Sequence, residues 1–443
     1  MSGGRSIAIL QEILDRALKV SQEAEVFYVV NSETPALFEA NRLKLLETQE
    51  TSGVALRIIK DGRIGFAATT NLDDIQGLVD SAAEVAPFGS EAHLEFPSNG
   101  GYPSVEVYDP EVSRFPVDEM IQMGQGLIDA IRAGYPEVVC EGHVSKSEST
   151  ISLLNSKGGN ISYARSTFDV SFEGVLIQGT DMLFVGDEQS WCQPIRDTTS
   201  IRDSIREQLD LAVTIAPPIS GTLPVIFTPY GVAGALISPL MAAFNGRTVL
   251  QGVSPLVGRL GERITDPRVS IWDDPTVPYA PGSEATDGEG VPARRKALID
   301  HGIATTFLYD LQTAGRAGTE STGNASRSLT SPPSPASSLL LVDEGDVAYD
   351  DMVRDMQEGI IVEQLLGAGQ GNLLAGDFNA NVLLGYRVSK GKIVGRIKDT
   401  MISGNVYDVL NNLDGIGNRA RWVGGRIRTP ALCCRGVSVS AKK

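Results

Sequence analysis

The chain has 443 residues, more than one hydrophobic core usually serves, and its 42% hydrophobic and 21% charged content is that of a folded protein rather than a disordered tail or a fibre. A formal net charge of −17 argues against direct nucleic-acid binding, which draws on clustered Lys and Arg; the one basic run, Arg294-Arg295-Lys296, is short and follows Asp287-Gly288-Glu289. No apolar run approaches the ~20 residues that span a bilayer, and the four cysteines, Cys140, Cys192, Cys433 and Cys434, form neither a CxxC pair nor a disulfide framework, so a soluble cytoplasmic setting is expected.

Ile7, Leu10, Leu14, Ala17 and Leu18 recur at helical spacing and predict an amphipathic helix over 5–19. Strands are expected at 26–30, 43–51, 53–60 and 63–69, the last two joined by an Asp61-Gly62 hairpin. Asn71-Leu72-Asp73-Asp74 supplies a cap and first-turn acids for a helix bearing Ile75, Leu78, Val79 and Ala82. The Pro-, Gly- and Ser-rich stretch 87–116 reads as a surface loop, and 117–131 as a further helix. Residues 137–190 alternate as strands broken at 155–160, 179–181 and Gly186-Asp187. A helix over 197–215 then leads to Pro217-Pro218, which divides an α/β domain, 1–216, from a β-rich domain, 219–443. In the latter, helical character returns only near 231–244 and 349–357, and 328–338 is a Ser/Pro loop unfit for a central strand.

Histidine is scarce: His93, His143 and His301 lie far apart, and no HExxH pair sets two imidazoles on one helix face beside a carboxylate that could activate a zinc-bound water. There is no G-x-S-x-G elbow and no SxxK, and Ser321 has no base near it in sequence. The run 367–371 lacks the Lys-Ser/Thr of a phosphate-binding loop and reads as a turn. Adjacent thiols such as Cys433 and Cys434 rarely bridge each other without strain and read as buried, inert residues.

Between 225 and 330 the residues become specific: DDP at 273–275, the D-x-E-G-x-P turn at 287–292 and STGN at 321–324. Together with ETQETSGVALRIIKDGRIGFAATTN, Gly376-Asp377-Phe378, Ile397-Lys398-Asp399 and Ile402-Ser403-Gly404-Asn405, they resemble the TldD/PmbA family, once called modulators of DNA gyrase, over nearly the whole chain. That resemblance implies an α+β fold, with an N-terminal α/β domain followed by a β-rich, barrel-like C-terminal domain, and a heteromeric cytoplasmic metalloprotease. TldD-type members carry HExxxH in the segment that here spans Gly231 to Leu240, where both histidines and the glutamate are missing. The third family ligand, a cysteine near the C-terminus, corresponds to Cys433 or Cys434. One thiolate cannot fill the three protein positions of a catalytic zinc, and Pro239 is expected to interrupt a ligand-bearing helix.

The chain therefore resembles the PmbA/TldE branch, with no cofactor of its own and a transition metal, zinc, in a TldD-type partner. The expected role is a subunit that helps bind unfolded or extended peptides by strand addition. Asp287, Glu289, Gly290, Ser321, Thr322, Gly323, Asn324 and Arg327, polar or hinge residues on Gly-rich loops, are the candidate peptide-binding set; the competing view is that they only close turns. A regulatory or structural protein that modulates a toxin, antitoxin or gyrase complex without catalysis is the other reading. Without a TldD-type chain, a homodimer using the same surface is expected.

Overall fold

The computed structural model describes residues 3–442, with side chains from residue 8 onward, so Ile7's place on the helix face lies outside it. The N-terminal half carries strands β1 (Glu23–Glu39), β2 (Arg42–Leu46), β3 (Gln49–Lys60), β4 (Arg63–Thr69), β5 (Val139–Asn155), β6 (Asn160–Gln178) and β7 (Asp181–Trp191). They form one antiparallel sheet in the order β4-β3-β1-β5-β6-β7, with β2 folded back on β1. The strand period of two decides what each face meets. Ala24, Val26 and Tyr28 join Val54, Leu56 and Ile58 beneath helices α1 (Gly3–Ala17) and α2 (Ile75–Val85). The alternate residues, Glu25 and Phe27 of β1 with Ala55 and Arg57 of β3, face away from those helices, and Glu25 stands directly opposite Arg57 in the register.

Local signals explain the helices. Leu10, Ile13, Leu14 and Ala17 make the buried stripe of α1, and Asp74 caps α2 by accepting from Gly77 N at 2.9 Å. Asp109 likewise starts the short helix α3 (Pro110–Arg114) inside the stretch expected as loop, and α4 (Val117–Gly134) follows. The break expected at Gly186-Asp187 does not occur, because both residues lie within β7. Gln208, on α5 (Thr199–Ala212), takes the Gly186 N–H at 2.9 Å and donates to its carbonyl at 3.0 Å, completing the edge strand's bonding where no further strand pairs.

Beyond Pro217 and Pro218, strands β8 (Gly221–Phe227), β9 (Ile271–Asp273), β10 (Lys296–Asp300), β11 (Ile303–Ala304), β12 (Ala325–Ser326), β13 (Ser334–Pro335), β14 (Leu340–Val342), β15 (Glu358–Leu366), β16 (Asp377–Ser389), β17 (Lys392–Arg396), β18 (Thr400–Asn405), β19 (Leu413–Val423) and β20 (Ile427–Ala441) follow. Pairings β8–β20, β20–β18, β18–β16, β16–β15 and β15–β8 return to their starting strand, so this sheet closes into a barrel. The runs Val225-Ile226-Phe227 and Ile360-Ile361-Val362 are wholly buried because each strand feeds two cores. Val225, Phe227, Ile360 and Val362 fill the barrel interior, while Ile226 and Ile361 point the other way, into a core shared with α4, α5 and the N-terminal sheet.

The segment 229–244 is helical throughout, as Pro229–Val232 (α6), a π turn Ala233–Ile237, and Ser238–Phe244 (α7). Pro239 does not interrupt it, contrary to the sequence expectation. It sits in the first turn of α7, where a missing N–H is tolerated, and the preceding turn widens to π geometry. Gly231 is required here, since a Cβ would meet Val362 O at 2.4 Å. Because barrel and sheet share a core, the chain is expected to unfold in one denaturant transition, with tryptophan fluorescence from Trp191, Trp272 and Trp422 tracking far-ultraviolet circular dichroism; separated midpoints would show that the halves fold independently.

Candidate functional site

The loops that carry the sequence motifs converge on the helix-free face of the N-terminal sheet. Arg57 donates to Glu289 Oε1 at 2.5 Å and to Glu25 Oε2 at 3.1 Å, and Arg327 donates to Glu25 Oε1 at 2.6 Å. All four side chains are at most 2% exposed. Aromatic faces cover the guanidinium groups: Arg57 lies 5.0 Å from the Phe96 ring centroid and Arg327 lies 4.3 Å from that of Phe27. Glu289 Oε2 also accepts from Leu311 N at 2.7 Å, at the start of helix Leu311–Ala317, whose cap is Asp310. Burial raises the Glu289 carboxyl while Arg57 pulls it down, and burial lowers the Arg327 guanidinium while Glu25 holds it up.

Asp287 and Asp273 organise the main chain around this lattice. Asp287 accepts from Glu289 N, Val291 N and Ala325 N, each at 2.9 Å, so it fixes its own turn and ties it to β12. Burial and the Glu289 carboxylate push Asp287 upward, against those three amides. Asp273, of the DDP motif, accepts from Lys296 Nζ at 2.8 Å, Asn324 Nδ2 at 2.6 Å and Ser338 N at 2.8 Å. The three motifs, distant in sequence, are one hydrogen-bonded assembly.

Between this assembly and the sheet lies a cavity of about 180 Å³, with Phe27, Ile151, Leu153 and Ile161 on the sheet side and residues of 282–288, 324–327 and 336–338 opposite. Asp287, Asn324 and Arg327 line it; Glu289, Gly290, Ser321, Thr322 and Gly323 do not. Glu289 is sealed within the ion lattice, and Gly290, at φ +81°, packs so closely that a Cβ would meet Ile161 at 2.9 Å. Ser321 and Thr322 donate to Tyr309 O at 3.1 and 3.2 Å, and Gly323, at φ +70°, turns the chain. Sequence reasoning missed Glu25, Arg57, Glu284 and Arg426. The signal for the first two was a charge inside each apolar strand, at positions that only the register brings together. Glu284 accepts from Ser338 Oγ at 3.1 Å, and burial, opposed by Arg165, pushes its carboxyl up to about 7.

The segment Gly231 to Leu240 lies elsewhere, in the barrel. Val232, Ala235, Leu236, Ile237 and Leu240 are buried among core residues, and Cys434 belongs to the same cluster. Cys433 points into the shared core and is pushed up to about 12 by burial, and Cys434 is raised well above the usual thiol range for the same reason. Protonated thiols in an apolar setting, with no imidazole or carboxylate on the adjoining segment, do not fit a transition-metal centre. Among the described residues no group of three His, Cys, Asp or Glu side chains is placed to hold an ion.

Comparison with known proteins agrees with this architecture. Residues 220–441 match the PmbA/TldA metallopeptidase C-terminal domain and residues 24–86 match domain 1 of the same family. A metalloprotease of Methanothermobacter thermautotrophicus is 28% identical over 424 residues, covering 94% of this chain and 91% of that protein. TldE from Thermococcus kodakarensis superposes with a TM-score of 0.87 at 23% identity, covering 98% of this chain and all of that one. A protein described as a modulator of DNA gyrase, from Bacteroides thetaiotaomicron, gives a TM-score of 0.88 at 22% identity over the full length of both. The chain belongs to the TldD/PmbA family, a family of metallopeptidases.

Two measurements check the electrostatics. Glu289→Gln is expected to cost about 3–5 kcal/mol by denaturant unfolding, because it leaves a buried guanidinium short of its anion, whereas Ser321→Ala should cost only about 1 kcal/mol. Folding raises the Glu284 carboxyl from its ordinary 4.5 to about 7, so across that window the native state holds a proton that the unfolded chain has released, and stability falls as pH rises. Glu284→Gln should therefore match the parent at about pH 4 and exceed it by about 1–2 kcal/mol at about pH 8; a gain independent of pH would contradict the assignment.

Proposed function

We propose that this chain is the metal-free, PmbA/TldE-type subunit of a TldD/PmbA metalloprotease, and that it helps bind extended or unfolded peptides while a TldD-type chain supplies the metal, zinc, and the general base. One observation carries the reading: the segment aligned with the family's HExxxH is apolar helix packed into the barrel core, whereas the cavity between sheet and motif loops keeps polar groups beside the short β12–β13 ladder. A chain that has lost the ligands but kept the folded framework still offers a partner the same interface, so a pseudo-symmetric heteromer follows, with a homodimer in its absence. Strand addition suits the capture of unfolded chains, because main-chain bonds hold a peptide whatever its side chains. The chain's own contribution is binding and orientation in a cytoplasmic complex.

The test is coexpression with an HExxxH-bearing relative from the same organism. The two chains should copurify, hydrolysis of an unfolded peptide should need both, and elemental analysis of this chain alone should find far less than one transition metal per chain. Stoichiometric zinc or iron in the isolated chain would overturn the proposal. So would turnover by the partner that does not change when this chain is added, an outcome that favours the regulatory reading.

A further inference from the structure

The cavity beside the motif loops has the size of a single residue. At about 180 Å³ it admits a side chain with its main-chain atoms. Phe27, Ile151, Leu153 and Ile161 make an apolar patch on its sheet side, flanked by Tyr163 and Arg165 of β6. At its rim Arg426 is exposed and makes no ion pair among the described residues, so the entrance is cationic. On the opposite wall Glu284 accepts from Ser338 Oγ at 3.1 Å through Oε1, and its Oε2 has no hydrogen-bond partner among the described residues. Asn324, 1% exposed, is fixed by its Nδ2 bonds to Asp273 and to Ala336 O at 3.0 Å and makes that wall rigid.

On the footing of the peptide-binding reading above, we propose that this cavity receives the C-terminal residue of a peptide. An apolar side chain lies against Phe27 and Leu153, the free carboxylate meets Arg426 at the rim, and the residue's amide N–H turns to Glu284. An N-terminal residue does not suit the site, because its ammonium would meet the Arg426 guanidinium. An acidic side chain does not suit the apolar side. The pocket therefore reads chain ends rather than internal sequence, and a subunit that holds a terminus sets where the rest of an extended peptide lies.

Binding to the isolated chain tests this, by fluorescence anisotropy of N-terminally labelled peptides ending in Leu, as the free acid or as the amide. The acid is expected to bind about threefold to fivefold more tightly, the worth of one exposed ion pair. Arg426→Gln, at an exposed position, should bring the acid down to the level of the amide and leave the amide unchanged. Leu153→Trp, checked for folding by circular dichroism, should weaken the acid further by filling the cavity. Equal binding of acid and amide, or an Arg426→Gln variant that keeps their difference, overturns the pocket while peptide binding itself stands. Failure of every peptide to bind overturns both.

Discussion

Glu25 and Arg57 face each other across neighbouring strands on the side of the sheet that carries no helices, and a pair of charges there demands a cover that brings its own counter-charges. Glu289 and Arg327 provide it from loops of the other half of the chain. The result is an unbroken chain of two carboxylates and two guanidinium groups, Glu289–Arg57–Glu25–Arg327. Exchange for apolar residues of similar volume often leaves such a buried arrangement as stable or more so, so its strength as a source of stability is limited. Its geometric demand is strong, since a slip of one residue in β1 or β3 would turn a charge under α1 and α2. That ion chain fixes how the motif loops sit on the sheet, and the cavity exists because they sit there.

The barrel meets the same sheet by a different means. Its strands alternate between an interior core and a shared core, so Ile226 and Ile361 bind the two halves through apolar area while Val225, Phe227, Ile360 and Val362 hold the barrel. Apolar contact tolerates repacking; the ion chain does not. The molecule thus has one adaptable joint and one exacting joint, and the candidate site lies at the exacting one.

The segment from Gly231 to Leu240 is part of the adaptable core. Apolar side chains there satisfy the barrel interior, the π turn accommodates Pro239, and both adjacent cysteines stay protonated. The motif loops around Asp273, Asp287 and Asn324 bond one another and, through Glu289 and Arg327, the N-terminal sheet.

The sequence by itself determined the periodic elements, the missing HExxxH ligands and the blocks DDP, D-x-E-G-x-P and STGN, because spacing and residue type are local properties. It marked Asp287, Asn324 and Arg327 as important without saying whether they face a ligand or close a turn. Only the tertiary structure decided that Glu289 is sealed in an ion lattice, that Ser321 and Thr322 bond their neighbouring chain at Tyr309, and that Gly186 lies inside a strand whose edge Gln208 completes. Glu25 and Arg57 could not be paired from sequence, because opposition across a sheet depends on register, and register is set by the whole face each strand buries. The cavity was invisible for the same reason: its two walls come from β1, β5 and β6 on one side and from loops more than a hundred residues away on the other, and their meeting is a property of the fold.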